Sequence, residues 1–180
     1  MKKWLIALGL TSALIAAGCS SSDEGNTNGD SQSEETSDKS NDEQAMKKEV
    51  LNAQMNLKDT FHPYQSKISA YQSAVAAEEP DEEQIKSTGE EAKKAAQDAA
   101  KEAENYEVKA DLSDEAISTY EEALPSLQAY YEGVAEALNN GLKDADLSKA
   151  EEKFTEFNDT LGKIYEDVGL NPPDMMKEFS

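Results

Sequence analysis

Few side chains in this 180-residue chain have the type and spacing to do chemistry. Cys19 is the only thiol, so the chain holds no internal disulfide and no cysteine-based zinc site. His62 is the only histidine, and in "DTFH" it stands three residues after Asp59, on the same helical face. A di-metal site in a helical bundle uses two Glu-x-x-His pairs with further carboxylates. One Asp-x-x-His followed at once by Pro63 falls short of that set, so His62 is expected to be an ordinary, partly exposed histidine. No G-x-S-x-G elbow offers a serine nucleophile, and no glycine-rich loop offers a phosphate cradle. The 38 Asp and Glu residues are too many to single out a pair; most are solvated neighbours of Lys along helices. The expectation is a protein without catalysis, cofactor or metal.

Cys19 is informative through its position. Lys2 and Lys3 precede a 14-residue apolar run, Trp4–Ala17 "WLIALGLTSALIAA". That length suits the core of a secretory signal and is short of the ~20 residues a spanning helix needs. Ile15, Ala16, Ala17 and Gly18 then lead into Cys19. This order resembles a bacterial lipoprotein precursor, in which an aliphatic residue and small residues precede an obligatory Cys. Ala16 stands where that class usually has Leu. The resemblance covers about the first twenty residues and implies a diacylglyceryl group on the Cys19 sulfur and cleavage after Gly18, leaving Cys19 as the new N-terminus. The localisation it implies is a lipid anchor on the extracytoplasmic face of a cell membrane. The absence of Arg and exclusive use of Lys leans towards a Gram-positive host.

From Ser20 to Asp42 no side chain is apolar: "SSSDEGNTNGDSQSEETSDKSND". Nothing there offsets the entropy of ordering, so residues 19–42 are expected to be a disordered tether reaching about 25 Å. The formal net charge is −21, and loss of Lys2 and Lys3 with the leader makes it −23. Such a surface excludes nucleic acid and anionic lipid as partners, because both are bound through Lys and Arg that displace counterions.

Beyond the tether the apolar residues repeat at alternating spacings of three and four, the mark of amphipathic helices. Four are expected, at about 42–77, 82–106, 114–140 and 149–168. The first carries Val50, Leu57, Phe61, Tyr64, Ile68, Tyr71 and Val75, with a capping box at Ser40 and Glu43. The second presents mainly Ala, which secures helicity and buries little. Ser113 and Ser148, each in an "ADLS", read as N-caps of the third and fourth. Gly141-Leu142 and Gly169-Leu170 read as Schellman stops. Pro63 and Pro125 fall inside the first and third helices without breaking the apolar phase, which predicts kinks within continuous helices.

Short connections between four narrow seams predict an all-α fold, an antiparallel four-helix bundle over 43–170 with a tail at 171–180. The first helix is expected to overhang its partners, leaving Met55 and Leu57 uncovered, and the tail to pack back there through Met175, Met176 and Phe179. Seam tyrosines normally lie in the core with the hydroxyl reaching out. The alternative is a recognition groove near the proline kinks, lined by Tyr64, Tyr71 and Tyr131. The function expected is an anchored module that binds a protein or a cell-envelope component. The second reading is a small-molecule or cation-binding lipoprotein serving a transporter.

Overall fold

The computed structural model describes the backbone of residues 35–180, with side-chain surroundings from residue 42 onward. Gly18, Cys19, the signal segment and most of the tether lie outside the described residues. All the regular structure described is helical: α1 Glu35–Val75, α2 Glu82–Glu104, α3 Asp114–Asn140, α4 Ser148–Asp167 and a short α5 Met175–Phe179. The five helices pack on one another around one core. No helix among the described residues is long and apolar enough to cross a membrane.

α1 starts at Glu35, earlier than the start expected near 42. Glu35 to Asn41 contain neither Gly nor Pro. Extending a helix that is already nucleated costs little there, whatever the polarity. Both internal prolines are accommodated without interrupting their helices. Pro63 and Pro125 are exposed, as are Asp59 and Glu121 four residues before them, so each lost backbone hydrogen bond lies on the water side.

The caps follow the sequence in part. Asp81 Oδ1 accepts from the backbone N–H groups of Glu83 (2.8 Å) and Gln84 (2.9 Å) and starts α2. Ser113 Oγ accepts from Ala116 N (3.2 Å) and starts α3. Ser148 departs from expectation, being the first residue of α4 and not its cap. Asp146 Oδ1 accepts from both the Ser148 amide (3.0 Å) and the Ser148 hydroxyl (2.6 Å). The cap position itself is Leu147, which has no side-chain acceptor, so Asp146 satisfies the first amide of α4 from one residue outside the cap. Gly169 has φ +68° and completes the expected Schellman motif, with Leu170 N–H donating to Tyr165 O (2.7 Å). Gly141 does not form one: its φ of 170° is extended backbone.

The core is built from α1 (Val50, Leu57, Phe61, Ile68), α3 (Tyr120, Leu127, Tyr131, Val134) and α4 (Phe154, Phe157, Leu161, Ile164). α2 contributes Ala92, Ala96, Ala99 and Ala103, whose small side chains let its neighbours approach closely. Gly89 extends that closeness, since a Cβ there would lie 2.9 Å from Leu142 Cδ2 and 3.3 Å from Tyr71 Cδ2.

α1 packs on α2, α2 on α3 and α3 on α4, but α1 and α4 meet only sparsely. Low down, Tyr165 OH donates to Gln54 Oε1 (3.2 Å) across that gap. Higher up, α5 fills it. The tail therefore packs back as expected, but further along α1 than the overhang. Phe179 is fully buried, with its ring centroid 5.7 Å from Phe61, 5.8 Å from Phe154 and 6.4 Å from Phe157. Met175 is fully buried beside it and Met176 half-buried. Leu57, expected to be uncovered, is fully buried, whereas Met55 is exposed. Pro172-Pro173 follow the Gly169 stop and keep α4 from resuming, and α5 begins under an Asp174 cap.

Candidate functional site

The three seam tyrosines do not converge on one opening. Tyr131 is fully buried and stacks on Phe61 (5.7 Å, 15° between planes). Tyr64 is half-buried, 6.5 Å from the same Phe61 ring. Tyr71 is buried further along α1, where its hydroxyl donates to the Leu142 carbonyl (2.8 Å). Tyr64 and Tyr131 thus meet at Phe61 as part of the core, and Tyr71 serves to hold the loop after α3.

Burial marks all seven tyrosines in the same direction. Each hydroxyl is pushed above its ordinary value, with desolvation as the first cause, Tyr106 and Tyr130 up to about 12. A raised folded-state value means that the neutral form stabilises the fold. That contribution is complete below the unfolded value of 10.0 and is lost as pH rises through about 12. An alkaline titration followed by tyrosinate absorbance and circular dichroism is therefore expected to show delayed ionisation that coincides with loss of helix. Independent titration near 10 in a still-folded protein would contradict it.

His62 is tied to the tail. Its Nδ1–H donates to the Phe179 carbonyl (2.9 Å), and Ser66 Oγ lies 3.4 Å from Nε2 as donor. Among the described residues no three of His, Cys, Asp and Glu stand close enough together to hold a metal ion.

One side chain breaks the pattern of the core. Gln65 is the only buried polar side chain among the described residues, 1 % exposed. It occupies a seam position, four residues after Phe61 and three before Ile68, where an apolar residue is the rule. Its Oε1 accepts from Tyr130 OH (3.0 Å), and its Nε2 donates to Met176 Sδ at 3.5 Å, a weak acceptor. Tyr130→Phe would leave that Oε1 without its donor and is expected to cost about 1–3 kcal/mol. Tyr131→Phe removes no hydrogen bond to the protein and should cost far less; comparing urea melts of the two variants reads the difference.

Gln65 also lines a cleft of about 390 Å³ at the height where α1 and α4 stand apart. Its α1 wall is Gln65 and Gln72, and its α4 wall is Glu151, Phe154, Thr155 and Asn158. Residues of the C-terminal segment close it below. Asn158 Oδ1 accepts from the Met175 amide (3.0 Å), which fixes the tail and directs the Asn158 NH₂ elsewhere. Asp174 is held low by Lys177, whose ammonium pairs with it at 2.7 Å. Glu151 is close enough to Tyr130 to help raise its hydroxyl. Comparison of the chain with family models, curated proteins and solved structures gives no match.

Sequence reading missed this cleft because its polar residues look like ordinary surface residues one at a time. The available signal was Gln65 itself, a polar residue in the register of Leu57, Phe61 and Ile68.

Proposed function

We propose that this chain is a membrane-anchored extracytoplasmic lipoprotein, acylated at the Cys19 sulfur and then cleaved after Gly18, with no catalytic role. A polar spacer then presents an antiparallel four-helix bundle, with α5 as a fifth element between the first and fourth helices. The observation that carries the anchoring is the order Lys2-Lys3, apolar Trp4–Ala17, small residues, Cys19 and then an uninterrupted polar stretch. Several contacts support the bundle arrangement. Glu82, the first residue of α2, accepts from Lys143, just past the end of α3 (2.8 Å), and Gly133 in the second half of α3 lies against Ala150 at the start of α4. Gln54, midway along α1, bonds Tyr165, late in α4, and Lys47, in the first half of α1, reaches to Gly169, just past the end of α4.

The bundle acts by binding a protein or a component of the cell envelope. The filled seam at Tyr131 and Phe61 favours a surface-acting module over one that encloses a ligand among Tyr64, Tyr71 and Tyr131. Crosslinking in intact cells followed by mass spectrometry tests this, with Cys19→Ser as control. A discrete envelope component captured by the anchored form alone is the expected result. Equal capture by both forms would overturn the reading.

A further inference from the structure

We propose that the cleft between α1 and α4 is a binding site for a neutral, polyhydroxylated ligand such as a saccharide unit, held between Gln65 and Gln72 on α1 and Glu151, Thr155 and Asn158 on α4. The proposal rests on the envelope reading above and names the chemistry that the surface recognises.

The walls are two polar stripes. Glu151, Thr155 and Asn158 follow at i, i+4 and i+7, so all three share one face of α4. Gln65 and Gln72 are seven apart and share one face of α1. The stripes face each other at the one place where neighbouring helices do not close on each other, and the C-terminal segment supplies the floor through Met176 and Ser180. A volume of about 390 Å³ is within the range of small-molecule sites.

Donor and acceptor accounting selects the ligand class. Gln65 Nε2 carries two hydrogens and has only the Met176 sulfur as partner, so it has a hydrogen to offer. The Asn158 NH₂ and the Gln72 amide add donors, and Glu151, Thr155 and the Gln72 carbonyl add acceptors. An anion meets Glu151 and the field of a chain with net charge −21. A simple cation meets Glu151 alone, since Asp174 on the cleft floor is already paired with Lys177 (2.7 Å), and it leaves the amide donors without acceptors. A hydroxyl donates and accepts at one atom, and adjacent hydroxyls match a side-chain amide or carboxylate in pairs. A buried Gln in the seam is also accounted for: it replaces apolar packing with a fixed amide at the back of the site, held by Tyr130.

The test is calorimetric titration of the anchored protein in detergent micelles, with a neutral N-acetylglucosamine tetramer and with the monomer. Spermidine and inorganic phosphate serve as cationic and anionic probes, at physiological salt. Saccharide binding with Kd of about 1 mM or tighter is expected, weakened at least about tenfold by Gln65→Leu and by the double change Gln72→Ala with Thr155→Val. Both residues of the double change are exposed, so that variant keeps its fold, and circular dichroism checks this. Tighter binding of the tetramer marks a glycan polymer as the source of the ligand; equal binding marks a free sugar. No saccharide binding up to about 10 mM, or binding that the double variant leaves intact, would overturn the proposal. So would spermidine or phosphate binding that the cleft variants abolish. Anchoring is read separately in cells, so failure here and failure of the lipoprotein reading are distinguishable.

Discussion

Phe179→Ala is expected to lower the unfolding free energy by about 3–5 kcal/mol, although Phe179 is the second residue from the end of this sequence. Terminal residues are usually the least consequential in a fold. Here the ring is fully buried and touches Phe61, Phe154 and Phe157, the central aromatic residues of α1 and α4. α1 and α4 have little direct contact at this height, so nothing else can close over the space. A site that cannot collapse incurs the full cavity cost. The polar contacts around it depend on the same placement: His62 to the Phe179 carbonyl, Lys58 to Glu178 at 3.3 Å, and Asn158 to the Met175 amide. The Lys58–Glu178 pair is exposed and is itself a minor contributor. Urea denaturation of the wild type and the variant, with matched m-values, measures the effect. A loss below about 1 kcal/mol would mean that α5 is a loosely attached end and that α1 and α4 close without it.

Cys19→Ser is expected to abolish acylation altogether. The thiolate is the group that accepts the diacylglyceryl chain in lipoprotein precursors, and this chain offers no second thiol to substitute for it. A serine hydroxyl has nearly the same size and is a far weaker nucleophile. Metabolic labelling with a fatty acid should fall to background in the variant, and a precursor that still carries the segment 1–18 should accumulate. Two or more acyl chains hold a protein stably at a membrane where one gives only marginal binding, so the change in localisation is large. Retention of the label in the variant would place the lipid elsewhere or remove it from the reading.

The helices were legible because each level of the sequence agrees with the others. In α3 the seam Tyr120, Leu124, Leu127, Tyr131, Val134 and Leu138 is apolar at every step, Ser113 caps the start, and the observed helix has the expected bounds. α1 was misread at its start because low hydrophobicity argues against burial and not against helix; nothing in Glu35–Asn41 breaks a helix already formed. Ser148 is not the cap because the helix starts one residue earlier than its type suggests: Leu147 takes the cap position and Asp146 bonds Ser148 from outside it. The fate of the tail was half legible. Met175 and Phe179, four apart, announced a buried face, but not the gap between α1 and α4 that receives it. That gap is a property of how helices are spaced, and a heptad pattern records which faces are apolar without recording how far apart they stand. The cleft was hidden for the same reason, with Gln65 as its one trace in the seam. Tyr64, Tyr71 and Tyr131 were grouped because they share a stripe, yet tertiary packing sends Tyr71 to Leu142 and Tyr131 to Phe61.

Everything proposed for the biology of this chain depends on how its N-terminus is made, and the N-terminal peptide of the protein isolated from membranes reads that directly by mass. The expected result is a peptide beginning at Cys19, heavier than its sequence by a diacylglyceryl group, with the segment ending at Gly18 absent. A peptide that begins at any other residue, or an unmodified Cys19, would contradict the lipoprotein reading and leave the helical bundle without its anchor.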